Sequence, residues 1–238
     1  RVMSHVHPDN LQGEDEYCLL PNFRLPQHIH SRSANAKWLA EIGHRNPLWV
    51  HPSDAAKLGV EEGSLLKVET EIGWFIDKVW VTEGIKPGVI GCSHHIGRWR
   101  RKQDSGNRYM TNEVEIEDLG GGKMRMRTTS GVRPWESEDP DTNRVWWRDG
   151  GVHQNITHAV QPDPISGAHC WLQKVRISRP ADGERYGDVE VDTGKSFEYY
   201  KKWNEMAKER EKHPRNERRP LWMNRPLPPR KEHWFIPE

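Results

Sequence analysis

Three stretches of this sequence are dense in side chains that could hold a polar ligand. The first is His28-Ile29-His30-Ser31-Arg32-Ser33-Ala34-Asn35. Arg32 can fork onto a phosphate oxygen. Ser31 and Ser33 can donate to the same kind of group, Asn35 offers both polarities and His30 adds an imidazole. His28 and His30 are spaced as a metal pair could be, but no acidic or cysteine ligand lies nearby. The second stretch is Ser93-His94-His95-Ile96-Gly97-Arg98-Trp99, bracketed by Gly91 and Gly97, where glycine permits close backbone approach to a ligand. Neighbours on extended chain point opposite ways, so only one of His94 and His95 faces that ligand, with Arg98 a further donor. The third, Gln154-Asn155-Ile156-Thr157, offers the Asn155 amide to a ligand or to its own turn.

Four more residues are candidates by position. Asp54 stands in the first turn of a short helix, where a carboxylate complements the helix dipole or accepts two N–H groups from a ligand. His51 precedes that helix and either caps it or touches the ligand. Gln173 and Lys174 are adjacent on a strand, so only one faces inward; Lys174 has the reach for a phosphate. All of these are binding groups. The chain has no GxSxG elbow, no HExxH and no glycine-rich phosphate loop, so a self-contained hydrolase or nucleotidase has no support.

The elements that must position these residues read as a small barrel. His51 to Gly59 predicts a short helix, with Pro52 in its first turn and Gly59 just past its end. Ser64 to Glu71 and Trp74 to Val81 alternate around Ile72-Gly73, a hairpin pattern. Val89 to Cys92 is a short buried strand, and Cys170 to Ile177 closes the barrel, which resumes at Gln154 to Gly167 after an insertion at about 100–150. That insertion has weak strands around Lys123 to Thr128. Three divisions follow: an N-terminal segment 1–45 of loops and a strand or two, a barrel over 46–177, and 178–238, where Phe197 to Lys212 predicts an amphipathic helix before an extended proline-rich tail.

Composition narrows the class of function. Charged residues make up 30% of the 238, yet the formal net charge is +1, so bulk charge gives no case for nucleic acid or an acidic membrane surface. Glu205, Glu209, Glu211 and Glu217 also interrupt the basic run near the C-terminus. No stretch approaches the roughly 20 apolar residues of a membrane span. Hydrophobic residues reach only 34%, while tryptophan numbers twelve. Tryptophan suits half-wet clefts and interfaces, so the chain is expected to finish its core against a cofactor, other domains or a partner. Trp146, Trp147 and Trp222 are the expected contacts. The chain starts at Arg1 and reads as a fragment or a processed piece. Its three cysteines are too few for an iron–sulfur cluster of its own.

The run Asn46 to Gly63, together with His28 to Asn35, Pro87 to Ile90 leading into Ser93 to Trp99, and Asn155 to Thr157 followed by Asp163 to Gly167, resembles the molybdopterin dinucleotide-binding domain of the dimethyl sulfoxide reductase family. The blocks stand in that domain's order over roughly residues 23–177, and the histidine–arginine loop is most similar to the polysulfide, thiosulfate and arsenate reductase branch. The resemblance implies a mainly β fold, a double-psi β-barrel with short helices, an insertion and an extended C-terminal tail. It implies a bis(molybdopterin guanine dinucleotide) cofactor with molybdenum or tungsten, held by His30, Ser31, Arg32, Ser33, Asn35, His51, Asp54, His94, His95, Arg98, Asn155, Gln173 and Lys174. Where the family often has asparagine this chain has His51. The resemblance places the metal ligand, the catalytic centre and any iron–sulfur cluster in other parts of the parent oxidoreductase. The partners it implies are the catalytic subunit's remaining domains and an iron–sulfur electron-transfer subunit, with a periplasmic or partner-anchored location favoured over a cytoplasmic one. The alternative is a double-psi barrel used for assembly without any cofactor, with its cavity closed by apolar side chains.

Overall fold

In the described part of the chain, strands follow one another with little helix between them. The computed structural model describes residues 13–21, 42, 45–94, 99–101, 112–130, 152–159, 172–205, 207–209 and 218–220. In chain order the strands are β1 (Glu16–Leu20), β2 (Leu48–Val50), β3 (Leu65–Glu69), β4 (Gly73–Val81), β5 (Val89–Gly91), β6 (Trp99–Arg101), β7 (Asn112–Gly120), β8 (Lys123–Ser130), β9 (Gln173–Ser178), β10 (Val189–Asp192), β11 (Ala207–Glu209) and β12 (Arg218–Pro220). Helix α1 spans Pro52–Leu58, a 3₁₀ turn spans Gln154–Thr157 and helix α2 spans Thr193–Glu205.

Six of these strands close into a ring. β2 pairs with β5, β5 with β1, β1 with β9, β9 with β3, β3 with β4, and β4 returns to β2. The β1–β5 and β2–β4 pairs are parallel and the other four antiparallel, so the mainly β barrel expected from the sequence is present. Its interior follows from two-residue alternation. Tyr17 and Leu19 on β1, Leu66 and Val68 on β3, Phe75 and Val79 on β4, and Val175 and Ile177 on β9 point to one buried cluster with Leu48, Val50 and Ile90. Each such side chain contributes roughly 1.5–3 kcal/mol on burial. The predicted hairpin is β3–β4, with Glu69 opposite Trp74.

Helix α1 forms where its signals stand. His51 is the N-cap in extended conformation, Pro52 opens the first turn, and Gly59 ends the helix at φ 65°, the left-handed region that glycine enters freely.

The sequence reading needs correction in four places. Glu16–Leu20 falls in the N-terminal segment, yet it is a barrel strand lying between β5 and β9. The weak strands expected around Lys123 to Thr128 are a long hairpin, β7–β8. The β7–β8 hairpin and β6 extend the barrel sheet through β10 in the order β4–β10–β8–β7–β6. The closing strand among the described residues is Gln173–Ser178, Cys170 lies outside them, and Gln154–Thr157 is a 3₁₀ turn. Finally, α2 starts earlier than expected and stops at Glu205, because Ala207–Glu209 pairs antiparallel with Arg218–Pro220. Phe197 and Tyr200 of α2 are exposed and stacked at 6.3 Å, so no apolar stripe of that helix is covered there. Trp146, Trp147 and Trp222 lie outside the described residues.

The extension is tied tightly to the barrel. A Cβ on Gly73 would stand 2.2 Å from the Glu190 carbonyl oxygen, so only glycine lets β10 approach β4 this closely. Arg125 and Arg127 of β8 reach Glu190 and Asp188 at 2.7 and 3.0 Å.

Candidate functional site

A parallel strand pair sends both of its following loops out of the same end of the barrel. β1 and β5 are such a pair, with Leu19 beside Ile90 and Leu20 beside Gly91. The contact continues beyond the strands. Cys92 N–H donates to Leu20 O at 3.2 Å, and His94 N–H donates to Pro21 O at 3.0 Å. The chain after Pro21, which carries the first candidate stretch, and the chain after His94, which carries the second, therefore leave side by side.

Two further segments reach the same mouth. β9 runs antiparallel to β1, so its first residue, Gln173, stands opposite Leu19. The 3₁₀ turn arrives through Gln154, whose Nε2 donates to Cys92 O at 2.9 Å. Beneath the mouth lies a polar layer in which Asn46, Asp77, Ser93, Gln154 and Gln173 are each 1% exposed or less. Buried polar groups must be bonded to be tolerated. Asn46 bonds both backbone groups of Ser93, Thr157 Oγ1 donates to Gln154 O at 2.7 Å, and the Thr70 hydroxyl donates to Thr157 O. Cys92 Sγ lies 3.5 Å from Asp77 Oδ2. Burial, then the Asp77 charge, push this thiol well above its ordinary range. It is a neutral, inert side chain rather than a nucleophile or metal ligand.

The predicted residues distribute unevenly around this mouth. His30, Ser31, Arg32, Ser33, Asn35, His95 and Arg98 lie outside the described residues; what is described is the pair of adjacent points from which their segments depart. His94 is half-buried, with Nδ1 2.9 Å from Pro21 O. Gln173 faces inward, while Lys174 faces outward and pairs with Glu16 at 2.9 Å. Asn155 is exposed, and its neighbour Gln154 is the buried amide. His51 and Asp54 are not brought to the mouth. His51 Nδ1 accepts the Ser53 N–H at 3.2 Å, which is helix capping. Asp54 Oδ2 accepts the Gly88 N–H at 2.7 Å, at the far end of β5 from His94. The carboxylate fastens α1 to the turn before β5.

Asn46 and Gln154 carry the polar layer, and neither is among the site residues read from the sequence. A buried amide and an exposed one are spelled alike; only the register of β5 and the phase of the 3₁₀ turn separate them. Among the described residues no group of three or more histidine, cysteine or acidic side chains is placed to hold a metal ion.

A closed barrel whose described strand ends and 3₁₀ turn bring four distant segments to one polar end has the make-up of a ligand-holding domain. The family described as molydopterin dinucleotide binding domain matches residues 19–126. The chain is 33% identical over 97 residues to a putative dimethyl sulfoxide reductase catalytic chain of Halobacterium salinarum, covering 39% of this chain and 11% of that one. It is 34% identical over 152 residues to the molybdopterin-containing chain of the arsenate respiratory reductase of Chrysiogenes arsenatis, covering 52% and 17%. It is 28% identical over 103 residues to a trimethylamine-N-oxide reductase of Haemophilus influenzae, covering 40% and 12%. Among solved structures, acetylene hydratase from Pelobacter acetylenicus aligns with TM-score 0.34 at 21% identity, over 39% of this chain and 13% of that one. These matches make the chain similar to catalytic chains named for dimethyl sulfoxide, arsenate and trimethylamine-N-oxide reductases, with a molydopterin dinucleotide binding domain matched over residues 19–126. It spans under a fifth of the length of these relatives.

Proposed function

We propose that this chain is the C-terminal cofactor-binding domain of a molybdopterin-dependent oxidoreductase, holding parts of a bis(molybdopterin guanine dinucleotide) that carries molybdenum or tungsten. The observation that carries the reading is the double contact of His94 with Pro21, which starts the two candidate binding stretches from one point. The groups present fit such a ligand. Pterin and guanine rings present N–H donors and carbonyl acceptors, and the mouth is floored by the amides of Gln154 and Gln173. One amide oxygen, Gln154 Oε1, is buried with no hydrogen-bond partner among the described residues.

When bound, the cofactor supplies a metal centre for two-electron oxidation or reduction of a small oxyanion or sulfur compound. The chain's own part is to orient and shield. Arg32 would neutralise phosphate oxygens and Ser31 and Ser33 donate hydrogen bonds to them, Asn35 and Gln173 would meet ring edges, and His94 is held at Pro21 just before His95 and Arg98 in the chain. The metal ligand and any iron–sulfur cluster belong to the rest of the parent enzyme. Its partner is an iron–sulfur electron-transfer subunit, and its location is periplasmic or partner-anchored. No helix among the described residues is long and apolar enough to cross a membrane.

A cofactor-free assembly barrel is the competing reading. It calls for an apolar closure of the cavity, whereas the described residues at this mouth include the buried polar side chains of Asn46, Ser93, Gln154 and Gln173; the exposure of Asn155 and the apolar barrel interior fit it. The test is extraction of the complete, natively assembled enzyme. Stoichiometric pterin with molybdenum or tungsten is expected, and the absence of both would overturn the proposal.

A further inference from the structure

Helix α2 is tied to the barrel and its extension on one side and turns two aromatic rings to the other. Asp192 Oδ1 accepts the Lys195 N–H at 2.8 Å and caps the helix start. The Thr193 N–H and hydroxyl both donate to Gly122 O, at 2.8 and 2.6 Å. Further along, the Tyr199 hydroxyl donates to Glu71 Oε2 at 2.8 Å, in the turn between β3 and β4. Partial burial, and then Glu71, push that phenol up to about 12, so it remains a donor well into the alkaline range. These ties set both where the helix begins and how it is rotated.

With Tyr199 bonded to the barrel, Phe197 and Tyr200 stand on the outer side, 55% and 48% exposed. Their ring centroids are 6.3 Å apart and their planes 16° from parallel. Lys201 lies over the Phe197 ring at 4.6 Å and pairs with Glu198 at 2.9 Å. The adjoining charges thus satisfy each other, and the helix offers ring surface outward. Single exposed apolar side chains are ordinary. Two stacked rings on a fixed helix are the rigid aromatic anchor that interfaces use.

Area decides what kind of surface covers them. At about 200 Å² for a fully exposed aromatic side chain, the pair leaves roughly 200 Å² open. A stable contact between free copies needs about 800 Å² on each partner, so this pair is too small to hold a second copy of the chain. An anchor of this size is effective where a tether keeps the two surfaces together, because linkage raises the effective concentration. The chain covers 11, 17 and 12% of the three relatives described above. In a polypeptide of their length, most of the protein is there to supply a tethered surface.

We propose that Phe197 and Tyr200 form the anchor by which this domain docks on an apolar patch of another domain of the same polypeptide. This rests on the reading of the chain as one domain of a larger oxidoreductase.

The experiment uses the natively assembled enzyme with Phe197 replaced by the photocross-linking analogue p-benzoylphenylalanine. After irradiation the products are sized on a denaturing gel and the joined peptides identified by mass spectrometry. The expected product keeps the mass of one polypeptide and joins position 197 to a peptide outside the 238 residues described here. A product of doubled mass, a link to a different subunit, a link within the 238 residues, or no link at all overturns the inference. Should the analogue prevent assembly, the Phe197→Ser, Tyr200→Ser double variant decides. Proteolytic release of this domain from the rest of the polypeptide should quicken about tenfold or more, while cleavage inside the barrel keeps its wild-type rate. Release at the wild-type rate, or equal quickening inside the barrel, shows a pair that serves only the helix itself and overturns the proposal. A native polypeptide no longer than this chain would remove the larger enzyme and the docking partner together. A long polypeptide that links as expected but carries no pterin would remove the cofactor reading and leave the docking intact.

Discussion

Asn46 holds Ser93 by both backbone groups: its Nδ2 donates to the Ser93 carbonyl at 2.5 Å, and its Oδ1 accepts the Ser93 N–H at 3.1 Å. One side chain thereby does the work of a strand partner for a single residue, at the point where β5 has ended and the histidine loop has not begun.

Replacing Asn46 with leucine keeps the branched shape and removes both of its hydrogen bonds to the buried Ser93 backbone. At about 1–3 kcal/mol for each, the variant should lose roughly 2–6 kcal/mol of stability, read from urea unfolding of the cofactor-free enzyme. Its pterin retention should fall as well, because Ser93 leads into His94. A change within about 0.5 kcal/mol would show that the clasp is dispensable.

Gly73→Ala tests the joint between barrel and extension. The new Cβ meets the Glu190 carbonyl oxygen at 2.2 Å and Val191 Cα at 3.1 Å, both backbone. Backbone cannot step aside without breaking the β4–β10 ladder, so a cost of about 2 kcal/mol or more is expected. Thermal unfolding measures it, and hydrogen exchange should show the loss concentrated in Val189–Asp192.

The two arginines of β8 should differ in importance although both sit in similar pairs. Asp188 has a side chain 1% exposed and receives a fork from Arg127 Nε and NH2 at 3.1 and 3.0 Å. Glu190, the partner of Arg125, keeps 16% exposure. Removing Arg127 takes the charged partner from a buried carboxylate that keeps the Arg185 N–H at 3.1 Å, whereas removing Arg125 leaves one that water reaches. Arg127→Met should therefore cost about 2–3 kcal/mol and Arg125→Met about 1 kcal/mol. Equal losses in denaturant titrations would contradict the ordering.

Cys92 gives stability an alkaline slope. Its thiol is held above the ordinary range by burial and then by Asp77, so the native protein keeps a proton that the unfolded chain releases above about pH 8.5. With fewer protons on the unfolded state, stability falls as pH rises, by up to about 1.4 kcal/mol per unit. The contribution is complete below the unfolded value and disappears as pH climbs toward the native one. Cys92→Ala should flatten the slope between pH 8 and 10. Under native conditions a thiol reagent should modify Cys18, which is half-buried, well before Cys92.

The parts of this fold that sequence exposes are those whose signals are local. Pro52 and Gly59 bracket α1 in the chain and in space, and the alternation around Ile72-Gly73 gives the β3–β4 hairpin its register. The union of β10 with β8 has no such signal, since Val189 meets Met126 across sixty-odd residues and neither neighbourhood announces the other. β1 was hidden by its polar surroundings, although Tyr17 and Leu19 alternate as a barrel strand should. For the site, composition marks segments but does not tell a buried side chain from an exposed one. Of the adjacent amides Gln154 and Asn155, the phase of one 3₁₀ turn decides which is buried. Asp54 reads equally well as a ligand or as a fastener, and the position of Gly88 shows the fastening.

Ring closure also settles where the described sheet stays open. With all six barrel strands flanked on both sides, the unfilled backbone ladder of the ten-stranded sheet falls on β6, four strands beyond β4. At about 4.8 Å per strand that edge stands roughly 19 Å from the barrel wall. A strand added to that edge would pair beside Trp99–Arg101, which follow His94 by only five residues in the chain.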